Sequence, residues 1–93
     1  MTEEVQQAVQ RAAAALIAAG AREVYLFGST TTGALREGSD IDFAVRGLPD
    51  EVFFRAMGEA SEAIQRQIDL VDLDDGSAFS EYLRRKGRLV RVA

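Results

Sequence analysis

The chain contains no cysteine and no histidine among its 93 residues. These absences exclude thiolate nucleophiles, Ser-His-Asp triads, disulfides and Cys/His zinc sites, because each requires one of the two missing side chains. Any chemistry must therefore run on carboxylates, hydroxyls and bound ions. A chain of this length, 47% hydrophobic, suits one compact domain over residues 1–93 and leaves no room for a second core.

Positive charge is also scarce, with 11 basic against 15 acidic residues and a net charge of −4. This balance argues against a broad basic surface, and so against tight binding to nucleic acid and a template-reading polymerase. The longest apolar run, residues 12–19, is far too short to span a bilayer, and Glu3 and Glu4 stand where a targeting signal would be basic. We expect a cytoplasmic protein with no membrane or nucleic acid partner.

The spacing of apolar residues predicts helices alternating with strands. Thr2 or Glu3 opens the first helix and Gly20 closes it, while Asp50 and Ser77 are expected to cap later helices. This order predicts an α/β sheet with helices packed against it, and the pattern alone leaves the strand directions open. The predicted helices cover residues 2–19, 31–35, 50–64 and 77–86, and the predicted strands cover residues 24–27, 40–46, 67–73 and 88–92.

Two acids occupy one face of the strand predicted at residues 40–46. Because side chains alternate along a strand, Asp40 and Asp42 stand within a few ångströms of each other, opposite Ile41 and Phe43. Two like charges so close are costly unless cations lie between them. A pair of Mg²⁺ ions would remove the repulsion and suits nucleotidyl transfer, because two metals can hold the attacking and leaving oxygens. The alternative is an exposed strand face with two solvated acids.

A Gly28-Ser29 turn follows the strand predicted at residues 24–27. A glycine lets the backbone approach an anion closely, and the serine hydroxyl and the following amides can donate hydrogen bonds to phosphate oxygens. The pattern therefore predicts a triphosphate site beside the paired acids. The alternative is an ordinary turn glycine and a helix-capping serine with no ligand.

Together these features form a spaced motif, Gly28-Ser29, ten residues, then Asp40-Ile41-Asp42. This motif resembles the hallmark of the minimal nucleotidyltransferases in the DNA polymerase beta superfamily. Gly33 and Ser39 also fall where that family usually has glycine and serine, and residues 68–71 look like the strand that carries its third carboxylate. The resemblance covers nearly the whole chain and implies a small mixed β-sheet with helices packed against it.

The resemblance also implies a set of roles. Gly28 and Ser29 would hold the triphosphate, and Asp40, Asp42 and Asp69 would bind two Mg²⁺ ions. Asp69 would also help to deprotonate the acceptor hydroxyl. The implied activity is transfer of a nucleoside monophosphate, AMP from ATP, to a hydroxyl, with a HEPN-domain toxin as the partner whose tyrosine is modified. The resemblance leaves self-association into a homo-oligomer open.

One departure favours a rival hypothesis. The family usually has arginine on both sides of the position filled by Thr31, whereas this chain has Thr30 and Thr32. Threonine hydroxyls can donate hydrogen bonds but bring no charge to a triphosphate. The rival is a catalytically weak module that neutralises or scaffolds a partner by contact. A third hypothesis, a polymerase or tRNA-modifying fragment, needs a nucleic acid surface that this acidic chain does not indicate.

Two further features allow more than one interpretation. Asp69 shares its side of the strand with Val71 and Leu73, which suggests a partly enclosed acid, but Asp72 is an alternative near the strand end. A basic cluster near the C-terminus fits either a solvated face or a docking site. Its members are Arg84, Arg85, Lys86, Arg88 and Arg91.

Overall fold

The structure is a computed structural model that describes residues 2–32 and 39–93. These residues form three α-helices and four strands, with short 3₁₀ segments at Gly28–Thr32, between the first two strands, and at Asp50–Val52. The predicted helix at residues 31–35 runs into residues 33–38, which lie outside the described part. The elements are α1 (Glu3–Ala19), β1 (Glu23–Leu26), β2 (Ile41–Arg46), α2 (Phe53–Ile64), β3 (Ile68–Asp72), α3 (Ala78–Arg85) and β4 (Val90–Arg91).

Capping side chains set the ends of α1 and α3 as the sequence predicts. The Thr2 hydroxyl accepts a hydrogen bond from the Val5 amide at 3.2 Å, and Gly20 ends α1 with a φ of 125°. The Ser77 hydroxyl accepts from the Ser80 amide at 3.0 Å. The predicted cap at Asp50 is wrong: Asp50 begins a 3₁₀ turn, and Val52, at the start of α2, makes no side-chain cap hydrogen bond.

The four strands form a mixed sheet in the order β3-β2-β1-β4. Strand β1 pairs antiparallel with β2 and with β4, whereas β2 and β3 are parallel. A parallel pair needs a crossover connection, and α2 supplies it. The expected small mixed sheet with helices packed against it is therefore confirmed.

Helices α1 and α2 pack on one face of the sheet, and α3 covers part of the other face. In β2, Ile41, Phe43 and Val45 are fully buried in the core on the α1 and α2 side. Ala44 is also buried, but it lies in a second cluster with Leu83 of α3. The predicted alternation holds, and α3 covers the half of the second face that holds Ala44.

None of the described helices is both long enough and apolar enough to cross a membrane.

Candidate active site

The turn after β1 brings Gly28 against Asp42 of β2. Gly28 has a φ of +67°, a backbone conformation that residues other than glycine rarely adopt. A Cβ atom built on Gly28 would lie 2.7 Å from the Asp42 Oδ2 atom. The backbone angle therefore favours glycine at this position, and any added Cβ atom would force the Asp42 carboxylate to move.

Thr30 ties the same turn to β2. The Asp42 amide donates a hydrogen bond to the Thr30 Oγ1 atom at 3.1 Å, and Thr30 is only 1% exposed. The Thr31 hydroxyl donates to the Gly28 carbonyl at 2.8 Å and closes the turn on itself. Thr30 is thus a positioning residue for Asp42.

The carboxylates of Asp42 and Asp69 meet across the parallel strands. Asp42 and Asp69 are register partners in β2 and β3, so their side chains leave the sheet on the same face. Asp42 is half-buried and Asp69 is exposed. The strand β2 begins at Ile41 and not at Asp40 as expected. Asp40 therefore directly precedes the strand, and it is exposed.

Negative charge accumulates at this edge of the sheet. Burial raises the pKa of the Asp42 carboxyl above its usual range, and a hydrogen bond with Asp69 and the charges of Asp69 and Asp40 raise it further. A carboxylate in this setting gains from a proton or a cation beside it. Mg²⁺ prefers oxygen ligands, and the side chains gathered here offer carboxylate oxygens. The donor chemistry therefore fits a magnesium site.

The structure brings together Gly28, Asp42 and Asp69, with Asp40 close enough to act on Asp42 through its charge. Within residues 2–32 and 39–93, no group of three or more acids is arranged as a ready metal cluster. The ligand set therefore stays a prediction. The backbone of Ser29 lies in the 3₁₀ turn, but its side chain and the whole of Gly33 lie outside the described residues.

The setting of the acids on β3 differs from the expectation. Asp69 lies on β3, the edge strand of the sheet, and is exposed and not partly enclosed. Asp72 is the enclosed acid, 9% exposed, on the α2 side of the sheet. Burial raises the pKa of the Asp72 carboxyl, which a hydrogen bond from the Asp74 amide partly offsets. Asp72 faces away from Asp42 and is not part of the site.

The fold and this arrangement agree with the comparison to known families. The polymerase beta nucleotidyltransferase family matches residues 18–91, which include the Gly28 turn and all three predicted acids. The chain therefore belongs to the polymerase beta nucleotidyltransferase family.

Solved structures with the same fold include two kinds of protein. One, described as a minimal nucleotidyltransferase, is 22% identical with a TM-score of 0.71 and covers 95% of each chain. A toxin-antitoxin complex with AMP-PNP is 25% identical, with a TM-score of 0.67 over 86% of this chain and 70% of that one. The MntA-HepT toxin-antitoxin is 23% identical, with a TM-score of 0.64 over 90% and 69%. No curated protein sequence matches this chain.

Proposed function

We propose that this protein transfers AMP from ATP to a hydroxyl group on a partner protein, in the cytoplasm, as an antitoxin acting on a HEPN-domain toxin. The observation that carries the proposal is the contact of the Gly28 turn with Asp42, whose register partner is Asp69. This juxtaposition offers backbone for a triphosphate beside carboxylates for its metals.

The chain's own residues divide the chemistry between them. The turn at Gly28–Thr32 presents backbone amides, and the Ser29 hydroxyl adds a donor to the triphosphate. Asp40, Asp42 and Asp69 would hold two Mg²⁺ ions, which supply charge neutralisation for the phosphate oxygens. Thr30 fixes the Asp42 backbone through the 3.1 Å hydrogen bond, so the carboxylate is positioned before the substrate arrives.

The transfer itself exchanges one phosphorus-oxygen bond for another. The acceptor oxygen bonds to the α-phosphorus of ATP, the bond to the bridging oxygen breaks, and pyrophosphate leaves. Asp69 is exposed beside Asp42, so its carboxylate can take the proton from the acceptor hydroxyl. An acceptor carried by a large partner can reach an exposed acid on an edge strand.

The relatives support the choice of substrate and partner. The toxin-antitoxin structure with AMP-PNP contains an analogue of ATP. The MntA-HepT structure pairs a protein of this fold with a toxin. An adenylyl transfer to a HEPN-domain toxin extends both of these findings to the present chain.

The test combines labelled ATP, Mg²⁺ and the cognate HEPN-domain protein. We expect label on the partner with the native chain, none with Asp42→Asn, and native transfer with Glu59→Gln. Glu59 is an exposed acid on α2, on the opposite side of the sheet, so it controls for the loss of one negative charge. Equal transfer by both variants would remove Asp42 from the mechanism and refute the proposal.

A second candidate is a module that neutralises its partner by contact. The observation that favours it is Thr30, which is buried and uncharged at a position where the family usually has arginine. Under this hypothesis the complex forms, ATP binds weakly or not at all, and no label reaches the partner. The same labelling experiment, run beside a binding measurement, separates the two functions.

A further inference from the structure

The outer face of α3 carries two exposed aromatic side chains. Phe79 is 50% exposed and Tyr82 is 57% exposed. Phe79 and Tyr82 follow the spacing i, i+3, so their side chains lie along one stripe of the helix. Lys86 is the C-cap residue that directly follows the last turn of α3. Arg85 flanks the end of this stripe. We infer that this stripe, called here the α3 stripe, is where the acceptor protein docks, through an apolar side chain flanked by carboxylates.

The α3 stripe borders the candidate active site. The ring of Phe79 contacts the ring of Phe27 edge-on, with centroids 6.0 Å apart. The Phe27 amide donates to the Asp42 carbonyl at 3.1 Å, so Phe27 lies beside Asp42 across the strands. A protein bound to the α3 stripe is therefore adjacent to the acids. This position deepens the proposed function, on which the inference rests, because a protein acceptor must be held close to Asp42 and Asp69.

The charge of the region indicates what the partner presents. Arg84, Arg85, Lys86 and Arg88 crowd into five residues of a chain whose net charge is −4. Among the described residues, the structure gives none of these four an ion pair, and all four are exposed. Carboxylates on a partner would complement these cations, and an apolar side chain would cover the two rings.

The acids around the α3 stripe favour a protein over an RNA. Glu81 lies in the first turn of α3, Asp74 and Asp75 precede the helix, and Asp42 and Asp69 lie on the adjoining sheet surface. A polyphosphate chain crossing this region meets these negative charges as well as the cations. Single carboxylates on a folded partner can be placed only where the cations are.

The test measures binding of the cognate HEPN-domain protein by calorimetry without nucleotide. The main variant is Arg85→Glu with Lys86→Glu. Its matched control is Arg11→Glu with Arg55→Glu, which changes the net charge equally but alters exposed positions on α1 and α2. Tyr82→Ala is a second variant that keeps every charge. Thermal melting of each variant verifies that α3 still folds.

We expect the main variant to bind the partner roughly tenfold more weakly, Tyr82→Ala to bind more weakly as well, and the control to bind as the native chain does. In the transfer reaction the acceptor KM should rise while kcat and ATP binding stay unchanged. Native affinity in both α3 variants would overturn the inference, as would the absence of any complex between the two proteins.

Two further outcomes distinguish a failure of the docking surface from a failure of the proposed adenylyl transfer. A complex that depends on the α3 stripe but transfers no label supports the docking surface and refutes the proposed adenylyl transfer. Transfer that ignores both α3 variants supports the proposed function and refutes the docking surface. Binding of a 20-nucleotide single-stranded RNA that the main variant loses and the control keeps would make this an RNA surface and overturn the inference.

Discussion

Replacing Gly28 with alanine is expected to disable the site at a modest cost to the fold. The new Cβ atom would lie 2.7 Å from the Asp42 Oδ2 atom, closer than two such atoms can approach. The obstructing atom is the end of a short side chain, and rotation of the Asp42 carboxylate relieves the clash. That rotation removes the carboxylate from the position where it faces the turn, so Mg²⁺-dependent ATP binding should be lost.

Substitutions at two other glycines separate the backbone cost of Gly28→Ala from the cost of its clash with Asp42. Gly76 has a similar φ of +74° with no atom within 4 Å of an added Cβ, so Gly76→Ala measures the backbone cost alone. That cost is about 1–2 kcal/mol for an L-residue in the left-handed region. Gly28→Ala adds the off-rotamer Asp42 side chain, about 0.5–1.5 kcal/mol more. Gly58 lies inside α2 with open space around it, so Gly58→Ala should stabilise by about 0.5–1 kcal/mol.

Thermal melting and calorimetric titration with Mg-ATP test this reasoning. In a domain of this size about 1 kcal/mol shifts Tm by roughly 4–8 °C, so the three variants are resolved. We expect Gly76→Ala and Gly58→Ala to bind Mg-ATP as the native chain does, and Gly28→Ala to bind none. Native binding by Gly28→Ala would show that the Asp42 carboxylate has no part in the nucleotide site.

Three more substitutions probe the carboxylates and their support. Asp42→Asn should abolish Mg-ATP binding yet leave the Tm at neutral pH equal or higher, because it removes a half-buried charge beside Asp69; a collapsed Tm would make Asp42 structural. Thr30→Val should destabilise by about 1–3 kcal/mol in urea unfolding, since the Asp42 amide loses its acceptor. Asp72→Asn should stabilise at neutral pH. Because the pKa of Asp72 is raised in the folded state, its carboxylate destabilises the fold above that pKa. The stability gained by Asp72→Asn should therefore shrink as pH falls toward 3.8. A stability gain independent of pH would contradict this.

The sequence was most informative where the alternation of side chains along a strand or a helix-capping residue determines the structure. The alternation in β2 correctly separates Ile41 and Phe43 from Asp42 and Ala44, because a buried face imposes a register. The caps at Thr2 and Ser77 follow from side chains that can accept an amide hydrogen bond. The Gly-Ser to Asp spacing predicted the contact of Gly28 with Asp42, because turn and strand are close in sequence.

Tertiary contacts decided the features that the sequence did not predict. The sequence does not distinguish Thr30 from other turn threonines, because its role depends on the hydrogen bond from the Asp42 amide of β2. The exposure of Asp69 depends on which elements cover its face of the sheet, and local patterning does not encode this packing. Asp72 is enclosed because it faces the α2 side, and Asp50 does not cap α2 because a 3₁₀ turn intervenes.

The parallel pairing of β2 with β3 has a consequence for how activity arises during folding. Asp42 and Asp69 become neighbours only after the chain has passed through all of α2 and returned to the sheet. Such non-local pairing forms late in folding relative to helices and hairpins. A nascent or clipped chain that ends before β3 lacks the Asp42–Asp69 pair, so under the proposed function we expect it to have no partial activity.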